Sequence, residues 1–393
     1  MTEMLQCQRE RFSIPRDVHY LNCAYMGPLS LATQEAGIAG VRRKANPATI
    51  TAADFYNESD EARRLFAQLI NVPDPARIAI IPSASYGIAT AARNLPCRTG
   101  QNIVVTGEQF PSNVYAWRKL ARGRGAQIRT VSPLSSKQRG AAWNDALFEA
   151  IDERTAIVTV PHVHWTDGTL FDLARVSERA RAYGAALVID ATQSIGALPF
   201  DAQQIRPDAV ICAAYKWLLG PYSLGFAYYG SRFDNGEPIE ENWITREGSE
   251  DFRGLVNYRD AYQGGALRYD VGERSNFALM PMAIAAMREI LERRPERVQA
   301  YCRGLCKDAI EEIRSLGFAV EQEPWRAAHL FGVRMPPSVD LQALHGALQR
   351  ASVSVALRGS ALRVAPNVYN DAEDVAALLA CLRISDGNVA VHP

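Results

Sequence analysis

The chain has 393 residues, 48% apolar and 22% charged, with a formal net charge of zero. That length exceeds what one hydrophobic core usually serves, so two domains are expected. The charge balance offers nothing to nucleic acid or to an anionic membrane surface, and no apolar run approaches the ~18 residues a membrane span needs.

In chain order, Met1 to Cys7 lack the basic and apolar blocks of a secretory signal. From Arg77 to Phe226 short apolar runs alternate with helical patterns. Strands are predicted at Ile78–Ile81, Asn102–Val105, Gln127–Val131, Ala156–Val160, Ala186–Ile189 and Ala209–Cys212, with a further one at Leu224–Tyr229. Leu173 to Tyr183 reads as one of the intervening helices, capped by Gly184. Strands alternating with helices mean a mostly parallel sheet covered on both faces, with ligands at the carboxyl ends of its strands. Asn235 to Asn276 is polar and rich in Gly and Tyr. It reads as a long excursion with little regular structure, the kind of loop that usually carries function. One long helix is predicted from Pro281 through Leu316, stopped by Gly317. Short strands at Ala319–Val320, Leu330–Arg334, Val353–Ala356 and Leu362–Val364, with helices at Leu341–Arg350 and Ala372–Leu382, make a small α+β domain. The seven cysteines, Cys7, Cys23, Cys97, Cys212, Cys302, Cys306 and Cys381, are scattered. Only Cys302 and Cys306 have helical spacing, and no second pair suggests zinc, so free thiols in a reducing cytoplasm are expected.

Lys216 stands alone in the apolar run Ala209–Leu219, and an ammonium is costly to bury without a partner. Asp190 ends another apolar run 26 residues earlier. Pyridoxal 5'-phosphate (PLP) needs both, a lysine for a Schiff base and an acid to keep its pyridine nitrogen protonated. Other loops at strand ends are consistent with such a ligand. Pro82–Gly87 opens a helix, where hydroxyls and N–H groups suit a phosphate, though serine is also an ordinary helix cap. Phe110 follows the next strand and could stack on a planar ring or fill core. His162, His164 and Trp165 follow the strand ending at Val160. Asp167 is the one acid in easy reach of the histidines, so no metal is expected, and a hydrogen-bonded buried imidazole is the simpler reading for each. Arg274 and Ser275 close the excursion and suit either an anion or a solvated turn. Arg363 lies in the run Leu362–Pro366, with Arg358 five residues earlier. Arginine binds carboxylates bidentately, as an amino-acid substrate requires.

With Val188-Ile189-Asp190-Ala191-Thr192-Gln193-Ser194-Ile195-Gly196 and Tyr215-Lys216-Trp217-Leu218-Leu219-Gly220-Pro221, the chain resembles class V, fold-type I PLP enzymes. This group includes cysteine desulfurases, kynureninases, isopenicillin N epimerase-like proteins and several aminotransferases. The resemblance runs from Tyr20-Leu21-Asn22 to Tyr369-Asn370. It implies an α/β fold with a mostly parallel seven-stranded sheet in a large PLP-binding domain (31–280). An N-terminal segment (1–30) joins the active site to a small C-terminal α+β domain (281–393), which includes the long connecting helix. It implies Lys216 as the Schiff-base lysine, Asp190 as the pyridinium partner and Gln193 as donor to the ring hydroxyl. Ala84, Ser85 and Tyr215 match phosphate contacts, Phe110 the ring-stacking position, and Ser275 a residue reaching the phosphate from a partner subunit. Arg363 matches the substrate-carboxylate arginine of kynureninase-like members, with Arg358 as the competing, desulfurase-type position. Asn22, His164 and Trp165 are placed on the substrate side. The loop Arg358-Gly359-Ser360-Ala361-Leu362 lacks the reactive cysteine of desulfurases. The expected protein is thus a cytoplasmic homodimer with shared active sites, acting on a small amino acid as a class V aminotransferase-like enzyme. A kynureninase-like hydrolase, a C–S or C–C lyase and an amino-acid epimerase are the alternatives, followed by a PLP-binding protein without turnover.

Overall fold

The apolar runs between Ile78 and Tyr229 pair into one seven-stranded sheet in the computed structural model, which describes residues 5–134 and 138–385. The chain begins outside this sheet with β1 (His19–Tyr20), α1 (Leu31–Ala45) and α2 (Asn57–Leu69), two helices the sequence pattern did not single out. Strands and helices then alternate: β2 (Ile78–Ile81), α3 (Ala84–Asn94), β3 (Asn102–Thr106), α4 (Tyr115–Arg124), β4 (Gln127–Val131), α5 (Arg139–Glu149), β5 (Thr155–Pro161) and α6 (Leu173–Ala182). The series ends with β6 (Ala186–Asp190), the short α7 (Ala202–Ile205), β7 (Ala209–Ala213) and β8 (Gly225–Tyr229).

The strand order is β2-β8-β7-β6-β5-β3-β4. Only β8 runs against its neighbours, so β2 points the same way as β7 and the carboxyl ends of six strands share one edge. Alternate residues of each strand enter opposite cores. Val158, Leu187 and Val210 pack on one face with Phe66 of α2, and Ile157, Val188 and Ile211 on the other with Ile88 of α3 and Trp117 of α4. Burial on both faces is why these strands read as unbroken apolar runs.

The helix expected from Pro281 to Leu316 is two helices, α8 (Leu279–Arg293) and α9 (Pro295–Ser315). Between them Arg294 takes φ 62°, since proline disfavours a helical residue before it. The break separates two allegiances: Met280, Ala283, Ile284, Met287 and Ile290 of α8 join the core of the large sheet. Beyond α9 come β9 (Ala319–Val320), β10 (Phe331–Arg334), α10 (Leu341–Arg350), β11 (Val353–Ser354), β12 (Ala356–Arg358), β13 (Ala361–Val364) and α11 (Ala372–Ser385). They form a four-stranded antiparallel sheet, β12-β13-β10-β9, with its own core under α9, α10 and α11. The run predicted as one strand, Val353–Ala356, is divided. Its first half pairs in parallel with β1 and its end starts β12.

The amino-terminal segment fastens this second unit to the site. Asn22 bridges to Ala365, and Arg9 forks onto Asp374 at 3.0 and 3.2 Å. The excursion 235–276 holds two short 3-10 turns, Gly254–Val256 and Gly265–Tyr269, and little else that is regular. Among the described residues no helix is long and apolar enough to cross a membrane.

Candidate active site

The shared carboxyl edge of the sheet opens into a cavity of about 320 Å³. Ser83, Ala84 and Ser85 reach it from the start of α3, Phe110 from the loop after β3, and Trp165 from the loop after β5. Asp190 and Gln193 enter from the end of β6, Tyr215 and Lys216 from the turn after β7.

The lysine turn is built tightly. Leu219 takes φ 50° and donates its N–H to the Lys216 carbonyl (3.0 Å), while the Gly220 N–H returns to Ala214 O (3.0 Å). Gly27 of the amino-terminal segment lies against the same turn, donating to Tyr215 O (2.8 Å), where a Cβ would overlap the Lys216 carbonyl. Lys216 is 6% exposed, yet its ammonium has no hydrogen bond or ion pair with any described residue. It faces the rings of Phe110 (5.3 Å) and Tyr215 (5.5 Å). Burial lowers its pKa to about 8, against a weaker opposing pull from Asp190. Burial likewise raises the Asp190 carboxyl above its ordinary value, while the Thr192 N–H donates to Asp190 Oδ1 at 3.0 Å and holds it in place.

Gln193 is fixed at both ends. Its Oε1 accepts from Trp217 Nε1 (2.7 Å) and its Nε2 donates to Ala24 O (3.1 Å), leaving one amide hydrogen free. At α3, Ser83 caps the helix by accepting from the Tyr86 N–H (3.2 Å), and its hydroxyl meets that of Ser85 at 2.9 Å. The first N–H groups of a helix have no partner within it, so this end offers donors to an anion.

Arg363 projects from β13 and is 1% exposed. Its guanidinium donates to Trp165 O (3.0 Å) and Asn22 Oδ1 (3.4 Å), its Nε has no partner, and no described carboxylate pairs with it. Burial, and next the nearby Arg358, lower its pKa to about 10. Of the other residues singled out in the sequence, Ser275 lies away from the cavity within its own chain, its hydroxyl donating to Phe55 O. His164 does not reach the substrate side. It is fully buried behind Trp143, with Thr166 Oγ1 at 2.7 Å and Gly107 O at 3.2 Å on its two ring nitrogens. His162 is buried beside Phe200, also outside the cavity lining. Arg274 is neither a solvated turn residue nor open to a ligand, because it is 2% exposed and bonded to Asp270 at 2.5 Å. Two contributors were not anticipated. Thr192 takes the Ala213 N–H on its hydroxyl (3.3 Å), tying β7 to Asp190, and Tyr222 lies against Tyr215 with ring centroids 4.7 Å apart. Thr192 stood inside the quoted motif and Tyr222 in the loop directly after Lys216, which was the available signal.

A sheet whose carboxyl edge gathers a partnerless amine, a carboxylate and a helix amino terminus defines an α/β enzyme for an anionic, ring-bearing cofactor. Residues 40–241 match the aminotransferase class-V family, and the chain belongs to it. It is 27% identical over 327 residues to an uncharacterized aminotransferase, YcbU, of Bacillus subtilis, covering 82% of each chain. It is 25% identical over 385 residues to isopenicillin N epimerase of Streptomyces clavuligerus, covering 93% of this chain and 94% of that one. Among solved structures, the Escherichia coli cysteine desulfurase CsdA superposes with TM-score 0.80 at 18% identity, covering 97% of this chain and 98% of the other. The cystine C–S lyase C-DES, in complex with cysteine persulfide, gives 0.82 at 19% identity over 93% and 97%. Both share the fold-type I architecture. The protein is a PLP-dependent enzyme of the class V aminotransferase type. The lining fits that cofactor chemically: it presents an amine (Lys216), a carboxylate (Asp190), two aromatic side chains (Phe110 and Trp165) and the N–H groups at the start of α3.

Proposed function

We propose that Lys216 bonds the cofactor and that the enzyme is an aminotransferase for a small amino acid. The observation that carries this reading is the isolation of the Lys216 amine. Among the described residues lining the cavity it is the one nitrogen base, and no histidine or cysteine joins it. Held at about 8, the amine is partly unprotonated near neutrality, which suits proton transfer. Bound there, PLP supplies the electron sink that loosens the substrate Cα–H bond. Freed from the cofactor by the substrate's own amine, Lys216 Nζ would take that proton and return it on the same face to a carbon other than Cα. Epimerisation needs a base on each side of Cα, and the Tyr215 phenol, pushed up to about 12 by burial, makes a poor second one. Desulfuration that leaves a persulfide on the protein needs a nucleophilic thiol in the cavity. Cys23, 3.9 Å from the Lys216 carbonyl, is buried and its thiol is pushed up to about 11.

The other roles follow the same geometry. Asp190 would pair with the pyridine nitrogen, the free amide hydrogen of Gln193 with the ring hydroxyl, and Ala84, Ser85 and the start of α3 with the phosphate, while Phe110 would lie against the ring. Arg363, a buried cation without an acid, takes the substrate α-carboxylate. A homodimer completes the site. Leu31, Ile38 and Val41 form an exposed apolar stripe on α1, and Gly40, Val41 and Ser275 line a common recess of about 520 Å³, so a partner docked on the stripe meets Ser275.

The test is a spectrophotometric titration of the purified holoenzyme with a panel of amino acids, products being identified by mass spectrometry. Transamination bleaches the cofactor colour and a 2-oxo acid restores it. Fragment release without a 2-oxo acid shows cleavage instead, and a spectrum unmoved by every amino acid shows a protein without turnover.

A further inference from the structure

Arg358 and Arg363 leave the same face of one hairpin. Arg363 lies opposite Ala356 and Arg358 opposite Ala361 across β12 and β13, so the two arginines are diagonal neighbours, Cα atoms about 7–8 Å apart. Both converge on Trp165: the Arg363 guanidinium donates to its carbonyl (3.0 Å), and that of Arg358 lies 5.7 Å from its ring centroid. Neither has an acid partner among the described residues. The one hydrogen bond of Arg358 goes to the adjacent Leu357 carbonyl (2.8 Å). Like charges placed side by side repel unless an anion comes between them, and this repulsion contributes to the lowered pKa of Arg363.

Trp165 also marks the wall between two cavities. Phe110 and Trp165 line the first, while their chain neighbourhood, Glu108 and Thr166, lines a second of about 390 Å³. Arg139, Arg334 and Arg358 all reach the second cavity. Its acids are already engaged. Asp167 accepts from the Thr169 N–H (3.1 Å) and hydroxyl (2.7 Å) and from Arg139 (3.3 Å) and Arg334. Glu321 accepts the N–H groups of Gly140 (2.8 Å) and Gln322 (3.0 Å), and Glu108 faces Arg139 at 3.5 Å. Arg358 is the cation left over.

We infer that the substrate is an amino acid with a second anionic group, which Arg358 binds past Trp165 at the mouth of the second cavity while Arg363 holds the α-carboxylate. This rests on the amino-acid-dependent reaction proposed above. It adds the substrate class: an acidic side chain in place of a neutral one. Arg358 is half-buried and has no acid partner among the described residues, so a neutral isostere leaves its guanidinium without an anion, and discrimination is built into the site.

The experiment compares kcat/KM of the holoenzyme for L-glutamate against L-glutamine, L-aspartate against L-asparagine, and O-phospho-L-serine against L-serine. Glutarate binding, followed by calorimetry, gives a readout that needs no turnover. The expected result is a preference of at least about tenfold for the anion in one of these pairs. The carboxylate and phosphate pairs tell which anion is read. In Arg358→Gln that ratio falls at least about tenfold, Arg358→Lys retains an intermediate value, and glutarate binds at least about tenfold more weakly than to the native enzyme. A native enzyme indifferent to the second charge, or a ratio that survives in Arg358→Gln, overturns the inference while leaving the proposed reaction intact. If no amino acid reacts but glutarate binding still depends on Arg358, the reaction fails and the anion subsite stands. Glutarate binding equal in both proteins sinks the subsite.

Discussion

Two groups of charges lie equally deep in this protein and are solved in opposite ways. Asp270, fully buried at the close of the excursion, accepts from Arg63 at 2.9 and 2.5 Å, from Arg274 at 2.5 Å and from the Ile80 N–H at 2.8 Å. Arg63 also donates to Ile78 O at 2.7 Å, so the cluster staples the excursion and α2 to the edge strand β2. Lys216, in the turn after β7, and Arg363, on β13 of the smaller sheet, have no acid at all within bonding distance among the described residues. A buried charge is tolerated when paired and costly when not. The paired cluster therefore reads as architecture. The unpaired cations carry a desolvation penalty that, on the function proposed above, cofactor and substrate would offset.

The sharpest way to break this contrast is Lys216→Ala. Loss of the covalent attachment and of the base should lower kcat by at least about 10²–10⁴-fold. The thermal transition of the apo-protein should stay in place or rise, because a partnerless buried ammonium has gone. If melting drops as it does for a staple variant, Lys216 is structural and the contrast fails. Asp270→Asn supplies the other limb. It leaves two guanidiniums without their carboxylate and should destabilise folding by about 3–5 kcal/mol, measured by denaturant unfolding. An enzyme that refolds with native stability after this change would show that the excursion is held by something else.

These two clusters also show what could be foreseen. The seven strands of the large sheet were legible because burial on both faces leaves apolar runs, and Lys216 and Asp190 were legible because they interrupt them. Arg363 was legible for the same reason, a cation inside the run Leu362–Pro366. Arg63 was not. It sits in the polar stretch Asn57-Glu58-Ser59-Asp60-Glu61-Ala62-Arg63, where nothing local says that a residue 207 positions later will bury it. Arg274 suited either an anion or a solvated turn in the sequence, and the structure gives it to the same acid instead. His164 stood beside Trp165 in sequence, but alternation along the chain turns one to the cavity and the other into the core. The pairing of β1 with β11, and the division of the Val353–Ala356 run, depend on contacts between segments more than 300 residues apart, which no local pattern contains.

Arg363→Ala tests the unpaired side at the substrate rather than at the cofactor. The α-carboxylate loses a charge-assisted fork, and apparent substrate binding should weaken by about 2–5 kcal/mol. The spectrum of the resting holoenzyme should not change, since the proposed role sets Arg363 against the substrate and not the cofactor. The melting temperature should move less than in Asp270→Asn, because the native arginine gives up two hydrogen bonds and no ion pair. An altered resting spectrum would move Arg363 from the substrate to the cofactor. No change in substrate binding would mean that the α-carboxylate is held elsewhere.

The smallest expected effect is a pH dependence, and it isolates the penalty itself. In the apo-protein burial holds Lys216 at about 8, whereas an unfolded lysine titrates near ~10.4. Below pH ~8 both states carry the proton, and the folded state bears the full cost of a buried charge. Between the two values the unfolded chain binds more protons than the native one, so stability rises with pH, and above ~10.4 the cost is gone. A displacement of that size corresponds to at most about 3 kcal/mol. Other groups titrate in this window, so the quantity to measure is a difference. The unfolding free energy of the apo-protein minus that of Lys216→Met is followed from pH 7 to 10.5 in denaturant. The native lysine should gain on the methionine variant across this interval. A flat difference would mean that the ammonium is solvated through the open cavity, and that the contrast with the Asp270 cluster is one of pairing without an energetic consequence.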